Sequence, residues 1–294
     1  YFGAGKREKI RICMTTIALF ALGVGISLTG VTQIFSEEIL LLIRTPEEIM
    51  KDSMDYLTIY FWGSGAIFLY NALNAVFIAL GDSRTPLYFL IFAFFLNVAG
   101  DLFFILVCSM GVGGGALATT LSQVLCTLLA FLVLERKMRR LGMGKADRLF
   151  DRAEFVRMMR VAVPAALQQS VVSLGNVCVQ TVTNSFGPAV MAGCTAANKA
   201  VNLVSTVPIN WGNALSGYVG QNAGAGKTER IGQGVTVSLW ITGGVSVFLT
   251  GIMEWIPETI IGWFVEGDRV SEVVQVGASY LRAVSWFLIP FSAY

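Results

Sequence analysis

Residues 87–107 read LYFLIFAFFLNVAGDLFFILV, an apolar run interrupted by one amide, Asn97, and one acid, Asp101. About 20 helical residues cross a hydrocarbon core of about 30 Å, so such a run reads as a membrane span. Seven further stretches read the same way: residues 12–34, 56–80, 110–134, 161–185, 189–219, 231–253 and 273–294. The chain has 294 residues, of which 55% are hydrophobic and 14% charged, and its mean hydropathy is +0.67. A soluble domain is about a quarter charged. These charges are too few to coat a soluble particle, so the expected fold class is an all-α integral membrane protein, a polytopic helical bundle of about eight spans.

The loops sort by charge. Residues 5–11, 81–86, 135–160 and 221–230 hold sixteen of the Lys and Arg residues, whereas the alternate loops hold Arg44, Lys51 and Arg269. The alternate loops carry the acids instead: Glu37, Glu38, Glu47, Glu48, Asp52, Asp55, Glu254, Glu258, Glu266, Asp268 and Glu272. Cytoplasmic loops are rich in Lys and Arg. Residues 35–55 and 254–272 are therefore expected outside, and 135–160 in the cytoplasm of a plasma (inner) membrane. Three charges remain within spans: Asp101, Lys199 and Arg282. Arg282 lies near an outer end, from where it can snorkel.

Several function classes drop out. The chain has no histidine, the commonest general base and metal ligand. Cys13, Cys108, Cys126, Cys178 and Cys194 all fall in or beside spans without metal-ligand spacing and read as small apolar residues. An intramembrane enzyme would need a nucleophile with its base, or metal ligands, so an enzyme is not expected. A net charge of +2 says nothing about nucleic acid, and no nucleic-acid partner is expected. No signal peptide opens the chain, which begins at Tyr1 and ends in an apolar run at Tyr294, as expected of a piece of a longer protein.

One unit is repeated. Gly3-Ala4-Gly5-Lys6 recurs as Gly224-Ala225-Gly226-Lys227, and in the same register Glu8, Thr15, Gly23, Leu28-Thr29-Gly30 and Glu37 match Glu229, Thr236, Gly244, Leu249-Thr250-Gly251 and Glu258. After a three-residue shift, Tyr56-Leu57, Trp62 and Tyr70 match Tyr280-Leu281, Trp286 and Tyr294. Six spans separate the two copies, so both have the same orientation. Parallel repeats of this kind build carriers in which one bundle rocks against another. The expected organisation is an N-terminal lobe over 1–134, a basic cytoplasmic linker over 135–160 and a C-terminal lobe over 161–294. Leu149, Phe150, Ala153 and Val156 fall on one helical face of that linker, which suits either a helix on the anionic inner surface or a solvated connection.

The sequence resembles the multidrug and toxin extrusion (MATE) transporters. Phe2-Gly3-Ala4-Gly5-Lys6 and Val219-Gly220-Gln221-Asn222-Ala223-Gly224-Ala225-Gly226-Lys227 look like the loops after that family's second and eighth helices. Leu80-Gly81-Asp82-Ser83-Arg84-Thr85-Pro86-Leu87 looks like its loop between helices four and five, and Ala162-Val163-Pro164 like the start of its helix seven. The resemblance implies two six-helix lobes, of which this chain would carry helix three to the start of helix ten. It further implies export of small organic, often cationic, compounds or drugs in exchange for H⁺ or Na⁺, by a monomer embedded in membrane lipid, with no cofactor beyond the coupling ion.

Asp101 is the leading candidate for that coupling. A carboxylate at bilayer depth costs on the order of 3 kcal/mol, and such residues are usually kept for ion or proton work. Asn97 lies one helical turn before it. Thr119, on the next span, falls at a similar depth by its 1.5 Å rise per residue. Carboxylate, amide and hydroxyl oxygens suit Na⁺ or a hydrogen-bonded protonated acid. The resemblance implies the same trio, because the family's first-lobe cation site uses an Asn-x-x-x-Asp pattern on helix five and a Thr on helix six, with an Asp on helix one that would lie outside this chain. The candidate substrate cavity comprises Lys199 with Gln168, Gln169 and Asn176. The competing class is a flippase for a lipid-linked oligosaccharide from a related family, which would favour a more basic cavity than Lys199 supplies.

Overall fold

The computed structural model describes residues 1–42, 45, 47–144, 148–265 and 270–292. Arg44, Lys145, Glu266, Asp268, Arg269 and Tyr294 lie outside the described residues. The chain divides into two compact units, Tyr1–Met158 and Met159–Tyr294, and among the described residues both are helical without strands. The first unit holds α1 (Arg7–Leu42), α2 (Glu47–Trp62), α3 (Ser64–Ala79), α4 (Arg84–Asp101), a π-helical extension Leu102–Val107, and α5 (Gly111–Arg140). Helix α6 (Arg152–Asn184) begins there, and α7 (Pro188–Gly224), α8 (Thr228–Trp255), α9 (Pro257–Gly262), α10 (Val270–Ser285) and α11 (Leu288–Phe291) follow in the second unit.

All eight expected spans fall on these helices. Five helices are long and apolar enough to cross a membrane unaided, and a sixth arises if α2 and α3, bent by 46°, are one span. The other two differ for visible reasons. Helix α7 carries Asn198, Lys199, Asn202, Asn210 and Asn213, while α10 has 16 residues before it breaks. Outward faces are strongly apolar, with Trp240 79% and Trp255 86% exposed, as suits contact with lipid.

The basic stretch 135–160 is not one element. Residues 135–140 complete α5, and α6 starts at Arg152 because Asp151 caps it: its Oδ1 accepts from the backbone N–H of Ala153 at 2.8 Å and of Glu154 at 3.0 Å. Leu149 and Phe150 therefore precede the helix and share no helical face with Ala153 and Val156. Phe155 instead packs on Phe150 and, edge-on, on Phe20 of α1.

Helix α5 organises the first unit. Gly114, Ala118, Ser122, Cys126, Ala130, Leu134 and Met138 are all buried and recur every four residues, forming one ridge. Its inner half meets Met14, Tyr70, Leu73 and Phe77 in the hydrophobic core. In the second unit Ala196, Ala197 and Ala200 of α7 pack with Met253, Ile260, Ile261 and Leu281. There α7 and α10 approach so closely that a Cβ on Gly193 would stand 2.8 Å from the Val273 carbonyl oxygen.

The sequence repeat is a structural one. Phe35 interrupts α1 with φ −112°, and Ile256, 221 positions on, divides α8 from α9 with φ −128°. Gly63 N–H bonds the Tyr60 carbonyl at the α2–α3 break, and Phe287 N–H bonds the Val284 carbonyl at the α10–α11 break, both 224 positions apart. A threonine hydroxyl secures each break: Thr29 donates to the Phe61 carbonyl at 2.7 Å, and Thr250 to the Ser285 carbonyl at 3.0 Å. The Gly-Ala-Gly-Lys copies make identical turns. Lys6 N–H reaches the Tyr1 carbonyl and Lys227 N–H the Asn222 carbonyl, with Gly5 and Gly226 at φ +67° and +70°. That is the Schellman ending, in which glycine adopts the left-handed conformation without a Cβ penalty. Helices α3 and α5, capped at Leu80 and Leu141, close in the same way around Gly81 and Gly142.

Candidate functional site

The seam between α4 and α5 gathers the candidate ion-coupling residues. Along α4, Ala93, Leu96, Asn97, Gly100 and Asp101 are the half-buried positions, and the rest from Phe92 onward are exposed. A spacing of three and four residues puts them on one stripe. That stripe faces α5: a Cβ on Gly100 would stand 2.9 Å from the Ala118 methyl, and one on Gly114 would stand 3.1 Å from Phe104. Small residues let the two backbones approach and turn the polar groups toward each other rather than toward lipid.

Asn97 Nδ2 donates to Thr119 Oγ1 at 3.1 Å, and Thr119 Oγ1 in turn donates to the Gly115 carbonyl at 3.0 Å. Asp101 lies one turn beyond Asn97, and Gly115 one turn before Thr119. The Asp101 carboxylate sits over Gly115, where an added Cβ would meet Oδ1 at 3.7 Å. Asn97 and Thr119 are thus in contact, with Asp101 held at the adjacent turn of the same seam. Gly115 is a participant that sequence reading missed, because its contribution is the space it leaves beneath the carboxylate.

Asp101 is also the last α-helical residue before the π-helical extension, whose bonds include Cys108 N–H to the Phe103 carbonyl. Such insertions widen the helix and recur at functional sites. Nothing in the composition of Leu102–Val107 marks it. Ser109, at φ +54°, and Gly111, at φ +56°, then turn the chain into α5.

The proposed substrate-cavity residues are not gathered. Residues 160–182 of α6, including Gln168, Gln169 and Asn176, are exposed at every position, and Lys199 on α7 is exposed as well. These groups stand on uncovered helix faces within the second unit.

Ion pairs fasten the basic ends of the first unit. Arg11 Nη1 lies 2.6 Å from Glu135 Oε2, joining α1 to α5. Lys137 pairs with Asp82 in the α3–α4 turn, and Asp82 also accepts from the Thr85 hydroxyl at 2.7 Å and backbone N–H at 3.0 Å. Burial alone would push the Asp82 carboxyl up, but the bonds from Lys137 and Thr85 outweigh it and hold it at about 2. Glu154 is 7% exposed and accepts from the Tyr1 hydroxyl at 2.8 Å and from Arg157 at 3.2 Å.

The chain is 30% identical over 260 residues to the probable multidrug resistance protein YoeA of Bacillus subtilis, covering 84% of this chain and 56% of YoeA. It is 25% identical to the probable multidrug resistance protein NorM of Thermotoga maritima, covering 97% of this chain and 62% of that protein. The chain therefore spans somewhat over half the length of these relatives. Among solved structures, a crystal structure of MATE in the straight conformation superposes with a TM-score of 0.88 at 19% identity, covering 99% of this chain and 64% of that one. An outward-facing multidrug resistance MATE transporter of the MOP superfamily gives 0.85, also at 19%, covering 99% and 67%. These likenesses establish the fold as an all-α polytopic helical bundle. The MatE family model matches residues 1–103 and 164–294, so the chain belongs to the MatE family.

Proposed function

We propose that this chain is part of a secondary antiporter that exports small organic, often cationic, compounds in exchange for H⁺ or Na⁺. The observation that carries the reading is the polar cluster of Asn97, Asp101 and Thr119 on the lipid-averted seam of α4 and α5. Family membership supplies the class of activity, and the multidrug names of the relatives supply the class of substrate. A carboxylate with an amide and a hydroxyl beside it matches the donor set of a proton or a hard monovalent cation. Neutralising Asp101 by either ion removes a charge from the seam and favours a different packing of α4 on α5. Substrate need only bind the two packings unequally for the fluxes to couple. The acidic segments 35–55 and 254–272 face outward and the basic turns face the cytoplasm of a plasma membrane, so the ion enters from the acidic side.

The test is dye efflux from cells carrying the full-length protein, with outer pH and Na⁺ varied separately. Asp101→Asn is expected to abolish ion-driven efflux while leaving the protein in the membrane. Undiminished efflux by that variant would remove the proposal.

A further inference from the structure

The basic end of the first unit holds a cleft of about 280 Å³. Helix α1 lines it with Ile10, Cys13, Met14 and Ile17, which are spaced three and four residues apart on one helical face. Ala75 of α3 leaves it room by its small side chain, and Met158 of α6 reaches it as well, so the cleft lies wholly within the first unit. An apolar cavity gives water no hydrogen-bond partners and suits an apolar occupant.

The mouth of this apolar cleft is charged. Tyr1 lines the cleft, and its hydroxyl donates to Glu154 Oε2 at 2.8 Å and accepts from Arg157 Nη1 at 2.7 Å. Lys9 Nζ lies 3.5 Å from Glu154 Oε1 and 5.3 Å from the centre of the Tyr1 ring. Glu154 is buried, whereas the side chains of Lys9 and Arg157 are 46% and 61% exposed. One carboxylate is thus turned inward and two cations outward.

The chain just before α6 adds a second observation. Arg148 and Lys9 both act on the Asp151 carboxylate, and Arg148 and Arg152 are exposed. Between those arginines Leu149 is 68% exposed, with Phe150 exposed beside it. Exposed apolar side chains flanked by arginines suit the headgroup layer of a bilayer.

We propose that the cleft binds an anionic phospholipid of the cytoplasmic leaflet, one acyl chain lying along the Cys13–Ile17 face and the phosphate meeting Lys9 and Arg157. Charge complementarity selects this occupant. The charge of the loops puts this end on the cytoplasmic side, where the anionic lipids are. A cationic compound would meet like charge at the mouth, and a small soluble anion would leave the apolar cleft unfilled. Within a bilayer an acyl chain gains no hydrophobic energy by leaving its neighbours. The cleft therefore orients the lipid, and the basic pair supplies the preference for a negative headgroup. The site does not require the antiport reading, and its test reads binding alone.

The test uses the full-length protein in phosphatidylcholine vesicles that contain a phosphatidylglycerol with a diazirine on its acyl chain. After photolysis, the labelled peptides are mapped by mass spectrometry. Label is expected within residues 10–17 and around Ala75, and excess unlabelled phosphatidylglycerol is expected to compete it away where added phosphatidylcholine does not. Lys9→Gln and Arg157→Gln are each expected to weaken labelling about fivefold, the effect of one basic group at an anionic surface. Ala75→Phe fills the cleft and is expected to abolish label there in a protein that still unfolds cooperatively. Lys51→Gln, on the acidic side, is expected to leave it unchanged. Equal labelling by the phosphatidylcholine analogue, or full labelling in both Lys9→Gln and Arg157→Gln, would overturn the site. Competition by glycerol phosphate as effective as that by the lipid would overturn it too, because the tail would then contribute nothing. Absence of label from residues 10–17 would mean that another part of the protein covers the cleft, and would equally end the proposal.

Discussion

Asn97 Nδ2 and Thr119 Oγ1 meet at 3.1 Å across the α4–α5 seam, one turn from Asp101 on one helix and one turn from Gly115 on the other. The bond joins two of the three candidate ion ligands and fixes the spacing of the helices that carry them. Thr119→Val keeps the shape and removes the hydroxyl, leaving the amide without its acceptor. An unmet buried donor costs about 1–3 kcal/mol. Half-maximal efflux is therefore expected to need about tenfold more coupling ion, read from efflux against outer pH and against Na⁺. An unchanged ion dependence would detach Thr119 from the site.

Gly25 and Gly65 make an asymmetric pair. A Cβ on Gly25 would stand 2.4 Å from the Gly65 Cα, a backbone atom that can yield only if α1 and α3 separate, whereas a Cβ on Gly65 meets nothing within 4 Å. Gly25→Ala is expected to destabilise by about 1–3 kcal/mol, the usual penalty of overpacking. Gly65→Ala is expected to be near neutral, or slightly stabilising, because alanine favours the helix. Thermal unfolding in detergent separates the two variants, and equal losses would contradict the α1–α3 approach.

The span positions, the basic-side turns and the repeat were legible because each rests on a local signal: apolar length, a glycine before a lysine, a recurring register. The stripe bearing Asn97 and Asp101 was legible for the same reason, since residues one turn apart share a face in any helix. What stayed hidden depends on contacts between elements. Gly115 counts only because Asp101 lies above it. Glu254 read as an acid of the outer loop, yet α8 runs through it to Trp255 and brings it to Ser285. The stretch 135–160 read as a single basic linker because charge alone does not tell where α5 stops and Asp151 starts α6.

Asp82 ties the α3–α4 turn to α5 through Lys137, and its carboxyl is held at about 2 against an ordinary value of 3.8. A depressed carboxyl stabilises the fold above its ordinary value, and that contribution disappears as pH falls through the depressed one. Lys137→Met is expected to lower the unfolding temperature near neutral pH by about 2–4 °C, for a pair worth about 1 kcal/mol. The gap between parent and variant should close as pH falls from about 4 toward 2. A gap constant over that range would mean that Lys137 contributes by packing instead of by charge.

The two helix breaks make the last prediction. A broken helix frees carbonyls that lipid cannot satisfy. In the first unit Thr29 caps Phe61, Gln33 caps Thr58 and Thr120 caps Ile59; in the second Thr250 caps Ser285. Thr29→Val and Thr250→Val preserve the side-chain shape and strip one cap from each unit. Each is expected to cost about 1–3 kcal/mol. Because Ser64 Oγ lies 2.8 Å from Thr29 Oγ1 and 2.7 Å from the Gly25 carbonyl oxygen, a neighbouring hydroxyl stands beside the first break. Ser64 can turn to cover the Phe61 carbonyl, so Thr29→Val should fall at the low end of the range. Thr250→Val has no second hydroxyl of that kind beyond Ser285, which is already committed, and should fall at the high end. Hydrogen exchange at the amides of residues 61–64 and 285–288 reads both, and faster exchange at the first break than at the second would reverse the order argued here.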